Sequence, residues 1–148
     1  MKKLLLRRRM LLLNSQSGGS VADENLLTPT EASFISDGAL RYNIAAFFSA
    51  ITLPANTTYK ISGTVTLSVN NPNTGYGNIY LNGYSAFGDS ALFRKIISPN
   101  STLEVTNDFE KEITTKRECE AGYTIGLIDF GKDMTGTITF TNMKLVKV

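Results

Sequence analysis

The chain has no histidine, no tryptophan and a single cysteine among 148 residues. Each shortage excludes something. Without histidine, the commonest general base and the commonest imidazole metal ligand are missing. One cysteine, Cys119, can form neither an intramolecular disulfide nor a Cys/His zinc site. No apolar run approaches the ~20 residues that a transmembrane helix requires. Stability must therefore come from an apolar core, with oligomer contacts as a further source.

What the chain has is an ordinary core-forming share of hydrophobic residues, 42%, with only 19% charged residues and an abundance of Thr, Ser, Asn and Gly. That balance suits β-sheet with hydrogen-bonding surfaces and frequent turns. The length fits one domain. The net charge of +2 hides an asymmetry. Lys2, Lys3, Arg7, Arg8 and Arg9 lie in the first nine residues, and the remainder, with ten basic and thirteen acidic side chains, is at −3. A basic segment precedes a mildly acidic body.

The opening reads MKKLLLRRRMLLL. Arg7 to Arg9 interrupt the apolar stretch, so no continuous signal-peptide core exists, and a signal peptide is not expected. At helical spacing the arginines are spread on all sides, and in an extended strand neither alternate row is uniformly apolar. The pattern suits either an extended peptide held in a groove of another protein or a disordered basic tail. In the first case Leu4, Leu5, Leu6, Met10, Leu11, Leu12 and Leu13 fill pockets, while Lys2, Lys3, Arg7, Arg8 and Arg9 meet acidic groups. Interspersed leucines serve no purpose in phosphate binding, so no nucleic-acid partner is expected. Residues 14–33, with Gly18, Gly19 and Pro29, read as linker in character; as domain bounds we assign 1–20 to a docking arm, 21–33 to a linker and 34–148 to the folded domain.

From Phe34 onward the pattern is β. Tyr59, Ile61, Val65, Leu67 and Val69 alternate with Lys60, Ser62, Thr64, Thr66 and Ser68, which predicts a strand with one buried face. Residues 42–53 are apolar on both alternate rows and read as a doubly buried strand, with a short helix as the alternative. Further strands are predicted near residues 76–84, 91–97, 103–106, 109–115, 122–130 and 136–148. Ile138 and Phe140 fall out of phase with Met143 and Leu145, which predicts a bulge at Thr141-Asn142. About eight strands with frequent turns indicate an all-β sandwich.

From Leu53 to the C-terminus the pattern resembles the jelly-roll sandwich of carbohydrate-binding modules and galactose-binding-like domains. The stretches that carry it are LPANTTYKISGTVTLSV (residues 53–69), YTIGLIDFG (123–131) and GTITFTNMKLVKV (136–148). The resemblance implies a jelly roll, sugar-stacking aromatics and, in many members, a calcium held by an aspartate in the last strand. This chain has no Trp, and Asn142 stands where that aspartate would be, so no metal is expected. The opening segment resembles the N-termini of small bacteriophage virion proteins, in which a short peptide is held by a neighbouring structural protein.

No catalytic residue is assigned. Cys119 lies between Glu118 and Glu120, whose charges oppose thiolate formation, and it reads as a semi-exposed or edge-strand residue. The pairs Glu110/Glu112 and Glu118/Glu120 read as solvated surface. Asn56-Thr-Thr58 and Asn100-Ser-Thr102 match a glycosylation pattern but read as turns. The most informative feature is residues 76–84. In one strand, Tyr76, Asn78, Tyr80, Asn82 and Tyr84 share a face, with Ile79 and Leu81 opposite. Tyrosines stack on sugar rings and amides bond hydroxyls. The same strip also suits a subunit interface or ordinary packing, and Asn82-Gly83 as a hairpin turn would detach Tyr84.

The expected protein is a non-enzymatic, cofactor-free virion structural or accessory protein of a phage, a capsid decoration, head fibre or tail accessory. Its arm binds other virion proteins. Its sandwich contacts sister subunits in a homo-oligomer or host glycans, and it has no membrane partner. The alternative is a secreted or surface carbohydrate-binding module.

Overall fold

The computed structural model describes residues 24–39, 41–88 and 90–148; the docking arm, residues 1–13 and on to 20, lies outside them. The elements are β1 (Leu27–Thr28), β2 (Ala32–Asp37), β3 (Arg41–Ser49), β4 (Thr58–Asn71), β5 (Gly77–Gly83), β6 (Ala91–Ile97), β7 (Ser101–Thr114), β8 (Thr124–Phe130) and β9 (Thr135–Lys147). They form two antiparallel sheets, a five-stranded one ordered β1-β3-β8-β5-β6 and a four-stranded one ordered β2-β9-β4-β7. The fold is a jelly-roll β-sandwich, as the sequence pattern predicts. No helix among the described residues is long and apolar enough to cross a membrane.

β4 shows how the pattern produces the structure. Tyr59, Ile61, Val65, Leu67 and Val69 are buried, while the intervening hydroxyl side chains face outward. Those hydroxyls bond across the strands: Thr66 to Thr106 at 3.1 Å, Thr58 to Thr114 at 2.9 Å and Thr64 to Asp108 at 2.6 Å. The facing rows of the two sheets meet in an aromatic cluster. Phe47 and Phe93 of one sheet pack on Phe140 of the other with centroids 5.6 and 6.2 Å away, nearly perpendicular to it. Phe109 closes the group 5.4 Å from Phe93. Edge-to-face contact favours this arrangement, and truncating the central Phe140 to Ala is expected to cost about 3–5 kcal/mol.

The bulge occurs where the phase slip predicts it. The β4–β9 register shifts between Ser62 and Thr64, and Asn142 takes a φ of 53°. The extra residue returns Met143 to the core, where its sulfur fills the space left by Gly63; a Cβ there would lie 2.2 Å from it.

Four readings are corrected. Residues 24–33 are not linker: Leu26 and Leu27 are buried, β1 pairs with β3, and β2 pairs with β9. Two adjacent leucines were too short a signal for a strand, and Pro29 masked what followed. Residues 103–106 and 109–115 are one strand, β7, because β4 pairs with it continuously through Asn107 and Asp108. The run from residue 42 is a strand that ends at Ser49, not Leu53. Cys119 is neither semi-exposed nor on an edge strand: it is 1% exposed and joined to Leu53 by paired backbone hydrogen bonds. Asn56 and Asn100 are turn residues, at φ 53° and 46°.

Candidate functional site

β5 occupies an interior position in its sheet, between β8 and β6, and its two faces are unlike. Ile79 and Leu81 point into the core at 0% exposure, while Asn78, Tyr80 and Asn82 are half-buried on the outward face. Asn82 lies within β5, so the hairpin-turn alternative is not adopted. Tyr76 precedes the strand and is 72% exposed; Tyr84 follows it and is 46% exposed.

The neighbouring strands add residues that sequence reading missed. Register sets Arg94 of β6 and Asp129 of β8 on either side of Tyr80, and Ile96 beside Asn78. The Arg94 guanidinium lies 5.3 Å from the Tyr80 ring centre. It also donates from Nε and Nη2 to Asn78 Oδ1 at 3.2 and 3.0 Å. Asn82 donates to the Asp129 carboxylate. Of the amides expected to bond a ligand, Asn78 is thus engaged through its Oδ1 and Asn82 through its Nδ2 by charged neighbours. They form a preorganised polar floor, and Arg94 holds the Tyr80 ring. Only the strand order could have revealed Arg94 and Asp129, since they lie 14 and 49 residues from Tyr80 in sequence.

Tyr76 stands differently. It borders an open depression of about 490 Å³ that runs past Asn78 and Tyr80 to Asp129 and Lys132. Glycines shape it. A Cβ at Gly77 or Gly131 would lie 2.4 or 2.8 Å from the sulfur of Met134, which is fully buried beneath them. The loop carrying Tyr76 is fixed from below by Asn71. This fully buried amide is within hydrogen-bond reach of the carbonyls of Gly75, Ile97 and Ser98, at 3.0, 3.2 and 3.1 Å, and its oxygen accepts from the Asn73 N–H. A buried amide satisfied in this way is costly to lose, so the ring of Tyr76 sits on a braced turn.

Among the described residues two titratable groups are perturbed, both away from this face. Burial pushes the Cys119 thiol up, opposed by Arg117 and reinforced by Glu120. Burial also raises the Tyr59 hydroxyl, against a hydrogen bond from Thr57. Burial, rather than the flanking carboxylates, is the main reason the thiol resists ionisation. Among the described residues no group of three or more Cys, Asp or Glu converges to hold a metal, and Asn142 lies in the β9 bulge.

No family model matches the chain, and no curated protein matches it. Solved structures are similar at low identity. A carbohydrate-binding module described as CBM4 is 14% identical over 86% of this chain and 97% of its own, with a TM-score of 0.37. The CBM6cm-2 module of Cellvibrio mixtus lichenase 5A, in complex with cellotriose, is 12% identical over 86% and 92%, with a TM-score of 0.33. A protein of the Bacillus endospore appendages, disulfide-linked pili, is 11% identical over 88% and 96%, with a TM-score of 0.38. At these values the likeness assigns neither ligand nor role to this chain.

Proposed function

We propose that the domain is a carbohydrate-recognition module that binds through the outward face of its five-stranded sheet around β5. One observation carries this reading: an exposed tyrosine on a braced turn borders an open depression whose wall holds Asn78, Tyr80, Asp129 and Lys132. An aromatic face beside converging amide, carboxylate and ammonium groups matches a saccharide, which presents an apolar ring face edged by hydroxyls. Tyr76 is the stacking platform. Asn78 and Asp129 orient hydroxyls, and Lys132 donates to them. The test is a glycan array with the purified chain and its Tyr76→Ala variant. Binding of a defined saccharide class, lost in the variant, supports the reading; no bound glycan at millimolar concentration refutes it.

A second reading rests on the basic, leucine-rich residues 1–13, which suit anchoring to a larger particle such as a phage virion. In that setting the sandwich projects and its β5 face meets the host surface or sister subunits. Deleting residues 2–13 then abolishes incorporation into particles, and wild-type occupancy by the truncated chain rejects the anchor.

A further inference from the structure

β7 is an outer edge of the four-stranded sheet. It pairs with β4 along its length, and among the described residues no segment pairs with its other side. Such an edge presents backbone donors and acceptors as a template for another strand. Its two side-chain rows differ in kind. Glu104, Asp108, Glu110 and Glu112 are exposed in the outward row. Leu103, Val105 and Phe109, in the inward row, pack against the core but stay only half-buried at the open edge. Pairing with another β7 would set carboxylate against carboxylate, which is destabilising. The edge therefore favours a strand that brings basic side chains to the outward row and apolar ones beside Leu103, Val105 and Phe109, the inward row also holding Asn107 and the exposed Lys111.

Residues 1–13 supply both kinds of side chain, with five positive charges and no acidic residue. At strand periodicity Lys3, Arg7 and Arg9 share one row with Leu5, Leu11 and Leu13, and Leu4, Leu6, Met10 and Leu12 share the other with Lys2 and Arg8. We propose that β7 receives residues 1–13 of a second copy of this chain as an added strand. A second copy, rather than the same chain, is favoured by where the chain enters the sandwich. The Leu26 N–H donates to the Leu145 carbonyl at 2.8 Å, and Asn25 bonds the backbone of Met143 and Leu145, all on β9. β9 lies on the other side of β4 from β7. The donor end and the acceptor edge thus stand at opposite sides of one sheet. Within one chain the segment would have to pass both β9 and β4 to reach β7; between neighbours it meets β7 without that detour. Such contacts are heterologous and repeat head to tail. They leave the β5 face of the other sheet uncovered, so this inference stands apart from the carbohydrate reading.

Sedimentation velocity on the full chain tests it. At low salt the mass rises with concentration, and about 1 M NaCl, where screening acts within ~3 Å, returns it to monomer. Arg7→Glu/Arg9→Glu and Asp108→Lys/Glu110→Lys are each monomeric, and an equimolar mixture of the two associates again. These positions on β7 are exposed; should the reversal perturb the circular dichroism, Asp108→Asn/Glu110→Gln gives the same loss. A full chain that is monomeric throughout overturns the inference, as does association unchanged by these substitutions or a mixture that fails to associate. If the purified chain is monomeric yet deletion of residues 2–13 abolishes particle incorporation, the anchor reading stands and this one fails.

Discussion

Arg94 caps Tyr80: its guanidinium lies 5.3 Å from the ring centre while it grips Asn78 through two nitrogens. The pair sits directly opposite in the β5–β6 register, the closest side-chain relationship an antiparallel sheet offers. Tyr80 is therefore a fixed wall and Tyr76 the open platform. Tyr76→Ala is expected to weaken saccharide binding about tenfold or more, whereas Tyr76→Phe retains most of it, since stacking uses the ring. Isothermal titration with the array-identified saccharide checks both.

Removing the cap has a different signature. Arg94→Ala is expected to lower stability by only about 0.5–1 kcal/mol, the scale of an exposed cation–π contact. Urea unfolding should show that small shift with an unchanged denaturant slope. A loss several times larger would mean that Arg94 supports the fold rather than the face.

The bulge in β9 predicts a coupled pair. Gly63→Ala places a methyl 2.2 Å from the Met143 sulfur and 3.2 Å from the Thr141 carbonyl. The variant is expected to lose about 1–3 kcal/mol, as overpacking does. In the Met143→Ala background the same change should cost much less, because the sulfur is gone. A double-mutant cycle by thermal unfolding reads the coupling; strict additivity would contradict the packing described.

At Gly136 no such relief exists. Its φ is 126°, and a Cβ would lie 2.0 Å from the Ser68 carbonyl oxygen, which is backbone. Gly136→Ala is expected to cost about 3 kcal/mol or more, combining left-handed strain with a clash that no rotamer resolves. Wild-type thermal stability in this variant would show that β9 can shift its register.

Alkaline pH should weaken the fold through Cys119 and Tyr59. Burial raises both groups, so the native state holds their protons at pH values where the unfolded chain releases them. The unfolded state then binds fewer protons, and stability falls as pH rises. The contribution is complete below the ordinary thiol range and disappears through the raised one. Melting temperature measured from about pH 7 to about pH 10 should decline, less steeply in Cys119→Val than in the wild type. Identical slopes would place the alkaline loss elsewhere.

Much of the architecture was readable because strands facing one core alternate. β4 declared itself through Tyr59 to Val69, and the change of phase between Phe140 and Met143 located the bulge. The short β1 was not readable, since Leu26 and Leu27 owe their place to tertiary contacts with β3 and β9 rather than to local pattern. β7 looked divided because Asn107 and Asp108 resemble a turn, and only its pairing with β4 holds them extended. For the site, strand parity predicts the row Asn78, Tyr80 and Asn82. It could not supply Arg94, Asp129 or the Met134 floor, which depend on which strands become neighbours.

The most direct test of the β5 face is a residue-resolved NMR titration of the isotope-labelled chain with the saccharide that the array identifies. The account predicts amide shifts concentrated at Tyr76, Gly77, Asn78, Asp129, Gly131 and Lys132, with the hydroxyl face of β4 and β9 unmoved. Shifts centred on Thr64, Thr66 and Thr139, or shifts that persist unchanged in Tyr76→Ala, would contradict it.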